Sequence, residues 1–362
     1  MPVELTEVQR IPTSGARAVE PLTVDGLELV AIPQLAKDIP GGPAEINGGD
    51  SNTELLLLRR TRDWYTPWAS LEAPGGEDAE FFTIGNRKFL AVASIRSGAG
   101  PYDLATNSVI YTWRDGAFVP FQAVPTYAAK QWRHWQADGR HFLGLAQGVV
   151  EPGSEQHNRA SMVFEWDGAT FAPVQEIPSR WAYNWLPMRI DGILYVAHAD
   201  HLDPSVLYRW DGGRLRPHQQ LAERSGRAFG AFGRDGARYL LVACLQAPSR
   251  LLKWNGDRFG AVQELDGLGA RELAVFEHAG RLFVVRVNFV QGSRADPVTA
   301  LQSQIYEWQD GRLRVAAEFP TTGGTDAAVI VHGGLLRLIV SNSLSPDIRF
   351  RADTIVYSIT IS

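Results

Sequence analysis

The chain has 362 residues, 45% of them hydrophobic, with a formal net charge of −5. That is ample material for a large core, and lysines and arginines scattered singly along a mildly acidic chain exclude a nucleic-acid or anionic-membrane surface as the main partner. With one cysteine, Cys244, no intramolecular disulfide can form, and no apolar run approaches the roughly 18 residues of a membrane span.

The opening stretch, MPVELTEVQRIPT, has neither the basic nor the apolar region of a secretory leader, so a soluble, cytoplasmic protein is expected. Its residues 5–13 (LTEVQRIPT) match the register of 118–126 (FVPFQAVPT), which makes them one outer strand without its own inner partners. Further along, one word recurs: SVIYTWRDG from Ser108, SMVFEWDG from Ser161, SVLYRWDG from Ser205, SRLLKWNG from Ser249 and SQIYEWQDG from Ser303. Each is a short strand closed by a Trp and an Asp-Gly or Asn-Gly pair, whose residues accept the positive φ of tight hairpin turns. A second run follows each word, as in AFVPFQAVPT (117–126) and TFAPVQEIPS (170–179). Pro120, Pro173 and Pro217 recur within it, which marks an outermost strand because proline cannot donate to a ladder.

Another strand pair precedes each word across a turn, for example AEFFTIGNRKFLAVASI (79–95) and RAFGAFGRDGARYLLVAC (227–244), so the unit is four antiparallel strands. Units at this period predict an all-β fold, a seven-bladed β-propeller in one domain. The blades are expected at 15–73, 75–125, 128–178, 181–222, 225–266, 269–320 and 323–362, and residues 1–13 supply the outer strand of the seventh and close the ring.

At the words FFTIGNRKFLAVAS (81–94), SVIYTWRDGAFVPFQAVPT (108–126) and PTYAAKQWRHW (125–135), the chain resembles the epilepsy-associated repeat (EAR/EPTP) family. That family includes the leucine-rich glioma-inactivated secreted proteins. The resemblance implies a seven-bladed propeller and a tendency to bind other molecules, not a reaction. The opening lacks the leucine-rich domain, signal peptide and cysteine pairs of the neuronal relatives, which argues against an extracellular receptor-binding role.

Connections between second and third strands are long and uneven, at 33–52, 96–107, 148–158, 291–302 and 343–351, so function is expected on that face and in the channel mouth beneath it. Aligning the innermost strands puts Arg17, Glu77, Lys130, Tyr183, Arg227, Arg271 and Thr325 in one column around the channel. The next column holds Ala18, Asp78, Gln131, Asn184, Ala228, Glu272 and Asp326. Two positions beyond it stand Glu20, Glu80, Arg133, Leu186, Gly230, Ala274 and Ala328. Such a mouth fits an internally paired network as well as a ligand site, since buried charges must pair in either case. Blades 3 and 4 concentrate Trp132, Trp135, Trp181, Tyr183 and Trp185 around Arg133 and Asn184. These aromatics read either as inter-sheet packing or as a wall for an apolar or cationic small molecule. The expected ligand contacts are Arg17, Glu20, Asp78, Glu80, Gln131, Trp132, Arg133, Tyr183, Asn184, Trp185, Arg227, Glu272 and Asp326.

No nucleophile elbow, phosphate loop or dinucleotide fingerprint occurs, and neither metal nor cofactor is expected. His198-x-Asp200-His201 has ligand-type residues but no second cluster, NGGDSN (47–52) reads as a turn, and Cys244 reads as a small buried hydrophobe. The first reading is a binding module for a small molecule or a peptide or protein segment. The alternative is a cofactor-independent cyclase, isomerase or lyase of specialised metabolism that moves protons with Arg133, the channel carboxylates or His134.

Overall fold

The structure, a computed structural model, describes residues 3–150 and 158–362. Seven four-stranded antiparallel sheets form the fold, each in the order first, second, third, fourth strand, with no helix among the described residues. Each innermost strand contacts the innermost strands of both neighbouring blades, which closes the ring. The seventh sheet is completed by Val3–Ile11, which pairs antiparallel with the last strand, Thr354–Ile361. This is the seven-bladed propeller, with the clasp, that the repeats imply.

The repeated word explains itself residue by residue. Its leading serine is fully buried in all five copies. In four of them the hydroxyl accepts the N–H at the end of the second strand, as Ser108 does from Ser94 (3.1 Å) and Ser303 from Asn288 (2.9 Å). The closing indole reaches the preceding blade. Trp113, Trp210 and Trp308 donate Nε1 to Asp25, Asp138 and Asp235, each in the turn between that blade's first two strands. In the turn itself Asp25 and Gly26 have φ of 47° and 78°, the left-handed pair of a two-residue hairpin.

The third turn differs from expectation in blades 3 to 5. Asp167, Asp211 and Asn255 open longer loops and use their side chains to accept N–H groups two or three residues on, as Asp167 Oδ1 does from Ala169 and Thr170 (2.7 Å each). This Asx geometry replaces a positive φ at the first residue.

Seven apolar clusters fill the seven boundaries between blades. Outside them a second device joins the outer strands. Gln122 donates to the carbonyl of Phe171 (2.8 Å) and accepts its N–H (2.9 Å). Gln9, Gln175, Gln219 and Gln263 do the same to the blade that follows. The prolines Pro120, Pro173 and Pro217 lie on these edge strands beside a register shift, where no ladder N–H is required of them.

Candidate binding site at the channel mouth

In five blades the innermost strand opens with a β-bulge, and the extra residue is Glu77, Tyr183, Arg227, Arg271 or Thr325. A bulge takes one residue out of the pairing and re-aims its side chain. Arg17 and Lys130 hold the same level just ahead of their strands, and all seven residues line the upper channel. Above them a cavity of about 480 Å³ opens on the face that carries the long loops. Those loops add Leu35, Ile95, Arg96, Leu104, Val149 and Phe289 to its wall.

The mouth is electrostatically one-sided. Among the described residues lining the cavity Glu77 is the single carboxylate, shared by Arg17 (3.3 Å) and Arg271 (3.0 Å). Burial works against the Glu77 charge, but Arg17, Arg271 and Lys130 outweigh it and hold the carboxyl below its usual range. Arg227 has no carboxylate within ion-pair distance among the described residues. Its guanidinium lies 3.7 Å from the centre of the Tyr183 ring, and Nε and Nη1 have no hydrogen-bond partner among the described residues. Burial first, and then Arg271, push its pKa well down. Lys130 donates to the carbonyls of Gly148 (2.6 Å) and Ala128 (3.0 Å). Burial brings its pKa down to about 7, with Glu77 opposing and Arg227 adding to the shift.

One step down the channel the sign reverses. Glu20, Asp78, Glu80, Glu272 and Asp326 surround Arg133, which pairs with Glu80 at 2.7 Å and keeps 35% of its side-chain surface open. Burial disfavours the Arg133 charge, but Glu80, Asp78, Glu20 and Glu272 together hold it more firmly protonated than usual. Burial raises Asp78 to about 7 and Asp326 to about 6, and lifts Glu20 and Glu272 well above the normal range.

Most of these side chains also stitch the ring. In blades 1 to 4 the innermost strand, or the residue just ahead of it, presents N–H groups to the channel, and acceptors on the preceding blade take them. Asp78 accepts from Trp132 (3.1 Å), Glu80 from His134 (2.9 Å), Glu20 from Phe81 (2.9 Å) and Asp326 from Val19 (2.7 Å). Gln131 accepts from Trp185 (2.5 Å). Asn184 lines the same level of the channel.

Of the expected contacts, Arg17, Tyr183 and Arg227 meet in the cavity, while Asp78, Gln131, Asn184, Glu272 and Asp326 stand at its floor. Glu20, Glu80 and Arg133 lie lower still, around the Glu80–Arg133 pair. Trp132 and Trp185 are corrected: both are fully buried. Trp132 packs among Phe89, Ala91 and Phe164 between blades 2 and 3, and Trp185 against Val163 and Tyr208 between blades 3 and 4. Alternate residues of a strand face opposite sides of the sheet, and here both sides are blades, so these indoles belong to the inter-sheet core. The aromatic wall is instead Trp181, Tyr183 and Phe289.

Lys130, Glu77 and Arg271 belong to the mouth although only their column, not a functional role, was assigned from sequence. Ile95, Arg96 and Phe289 went unnoticed. Their only signal is position, one or two residues past the end of a second strand. Most of the 148–158 loop lies outside the described residues, as do the first two residues of the 1–13 stretch.

The other candidate motifs are structural. His198 is buried with Nε2 3.0 Å from Ser161 Oγ, and Asp200 accepts the N–H groups of Arg180 and Trp181 (3.0 Å each). No group of three or more His, Cys, Asp or Glu able to hold a metal occurs among the described residues. In NGGDSN the carbonyls of Asn47 and Gly48 accept from Arg96. His134 stacks on Phe82, with ring centres 4.6 Å apart, and burial lowers its pKa to about 4.

The family model described as the EPTP domain matches residues 67–114 and 170–211. A human protein named thrombospondin-type laminin G domain and EAR repeat-containing protein is 27% identical over 164 residues, 44% of this chain and 23% of that protein. Its mouse counterpart is 29% identical over 152 residues, 41% and 22% respectively. The match thus spans less than a quarter of either relative.

Proposed function

We propose that this chain, which carries EAR/EPTP repeats folded as a seven-bladed propeller, is a binding module whose site is the loop-rich mouth of the channel. The observation that carries the reading is the cavity of about 480 Å³ at that mouth, with charged groups on its floor and Leu35, Ile95, Leu104, Trp181 and Phe289 on its wall. A volume of that order suits a small molecule or the tip of an extended peptide or protein segment. The catalytic alternative draws less support. The carboxylates with raised pKa values stand below the cavity, and Glu20, Asp78, Glu80 and Asp326 already accept backbone N–H groups from the next blade.

The test is a screen of metabolites and short peptides by thermal shift, repeated on Trp181→Ala, which shortens the wall, and on Arg189→Ala at the opposite end of its strand. Hits are expected to lose about tenfold or more in affinity with Trp181→Ala and to keep it with Arg189→Ala. Hits indifferent to Trp181 and sensitive to Arg189 place the site on the other face and sink the reading.

A further inference from the structure

We infer that the mouth is a receptor for an organic anion, a carboxylate or phosphate head on an apolar body, with the head held by Arg227, Arg271, Arg17 and Lys130 and the body laid against Trp181 and Phe289. The inference deepens the binding reading above and rests on it.

Three observations carry it. First, among the described residues four cations face one carboxylate, Glu77, at the same level of one narrow channel. Like charges so confined repel, and a fold that needed only to fill its axis would place apolar or amide groups there. Second, Arg227 is 8% exposed, and among the described residues it has no carboxylate partner and two of its nitrogens have no acceptor. A buried donor left without an acceptor is costly, more so when charged, so an entering anion supplies an interaction that the described residues do not. Third, aromatic faces hold the guanidinium groups ready. Arg227 stacks on Tyr183 at 3.7 Å, and Arg271 and Arg17 lie 5.2 and 5.7 Å from the centre of Phe289. Such contacts steady a cation without neutralising it, so the field of the cluster still points into the cavity. The same wall explains the apolar body, because a fully hydrated small anion would leave Leu35, Ile95, Leu104 and Trp181 uncovered.

The ligand is read by head-group chemistry using three probes that share one body: naphthoate, naphthyl phosphate and the uncharged naphthamide. Their binding to the full chain is followed by naphthyl fluorescence at low and high salt. Naphthoate or naphthyl phosphate is expected to bind about tenfold or more tightly than naphthamide at low salt, with the gap narrowing as salt rises. Whichever head binds more tightly assigns the source as a carboxylate or a phosphate ester. Arg227→Met is expected to bring the charged and uncharged probes within about twofold of each other, chiefly by weakening the charged ones. Should that variant fail to fold, Arg271→Gln gives the same contrast, and Glu77→Gln is expected to widen the gap. Equal affinity for all three probes overturns the anion inference and leaves the binding site standing. Binding of none of them to a ring that unfolds at its normal temperature overturns the binding reading as well.

Discussion

Two levels of one channel, one to three residues apart along each strand, carry opposite charge. The upper level has Arg17, Lys130, Arg227 and Arg271 against Glu77, and the lower has five carboxylates around Arg133. The difference is one of employment. Lower carboxylates accept N–H groups of the neighbouring blade and close the backbone accounts of the ring. Of the upper residues, Glu77, Arg227 and Arg271 sit on bulges and Arg17 and Lys130 lie just ahead of their strands, so the ladder makes no demand on their side chains. Removing a cation should therefore have opposite consequences at the two levels.

The largest effect is expected below. Arg133→Gln leaves five buried carboxylates without their counter-ion, and urea unfolding at pH 8 should show a loss of about 2 kcal/mol, moderated because a third of the side chain is open. At pH 5 the loss should shrink, since Asp78, at about 7, and Asp326, at about 6, are then protonated. Above, Arg227→Met removes a charge that has no carboxylate partner among the described residues, so stability should hold or rise by about 1 kcal/mol while anion binding falls. Equal losses for the two variants would erase the distinction between the levels.

Lys130 sharpens it by pH. Its group faces Glu77, Arg227, Arg271, Asp200 and His201, with Trp181 and Tyr183 beside it. Its pKa is about 7 when folded against 10.5 in the free side chain, so the folded chain holds fewer protons between those values. Its contribution to stability is fully present above pH 10.5 and is lost as pH falls toward 7. Stability of the native chain should thus rise from pH 7 to 10 more than that of Lys130→Met, read from urea midpoints. The smallest effect is expected from Asp78→Asn. The folded pKa of Asp78 is raised, so its favourable contribution is complete below pH 3.8 and is lost as pH climbs to about 7. The amide keeps an acceptor for Trp132, so the change at pH 7 should be under about 1 kcal/mol, with a flatter stability profile between pH 4 and 7.

The ring is legible in the sequence because neighbouring blades repeat parts of one local solution: a buried serine in blades 2 to 6, an indole reaching the preceding turn in blades 2, 4 and 6, and a proline on the rim in blades 2 to 4. Alignment alone also placed Arg227 and Tyr183 in one column. What it did not supply was orientation. Trp132 and Tyr183 look alike as aromatics near a strand start, yet one is locked between sheets and the other is turned inward by a bulge. A bulge has no signature beyond a small residue ahead of it, here Gly76, Ala182, Gly226, Ala270 or Gly324. Ile95, Arg96 and Phe289 follow their strands in loops that differ in every blade, so no repeat could announce them.

The outer glutamine that clasps the next blade stands in five blades, but Ala69 and Ala317 occupy its place in blades 1 and 6. At the first of these junctions Trp68 stacks on Trp113 with ring centres 5.9 Å apart. The circumference therefore has two seams, dividing it into an arc of five blades and an arc of two, the shorter of which contains the union of the chain's first and last strands. A load applied across the disc would part it along those lines first, and slow amide exchange should map the longer arc as the more durable piece.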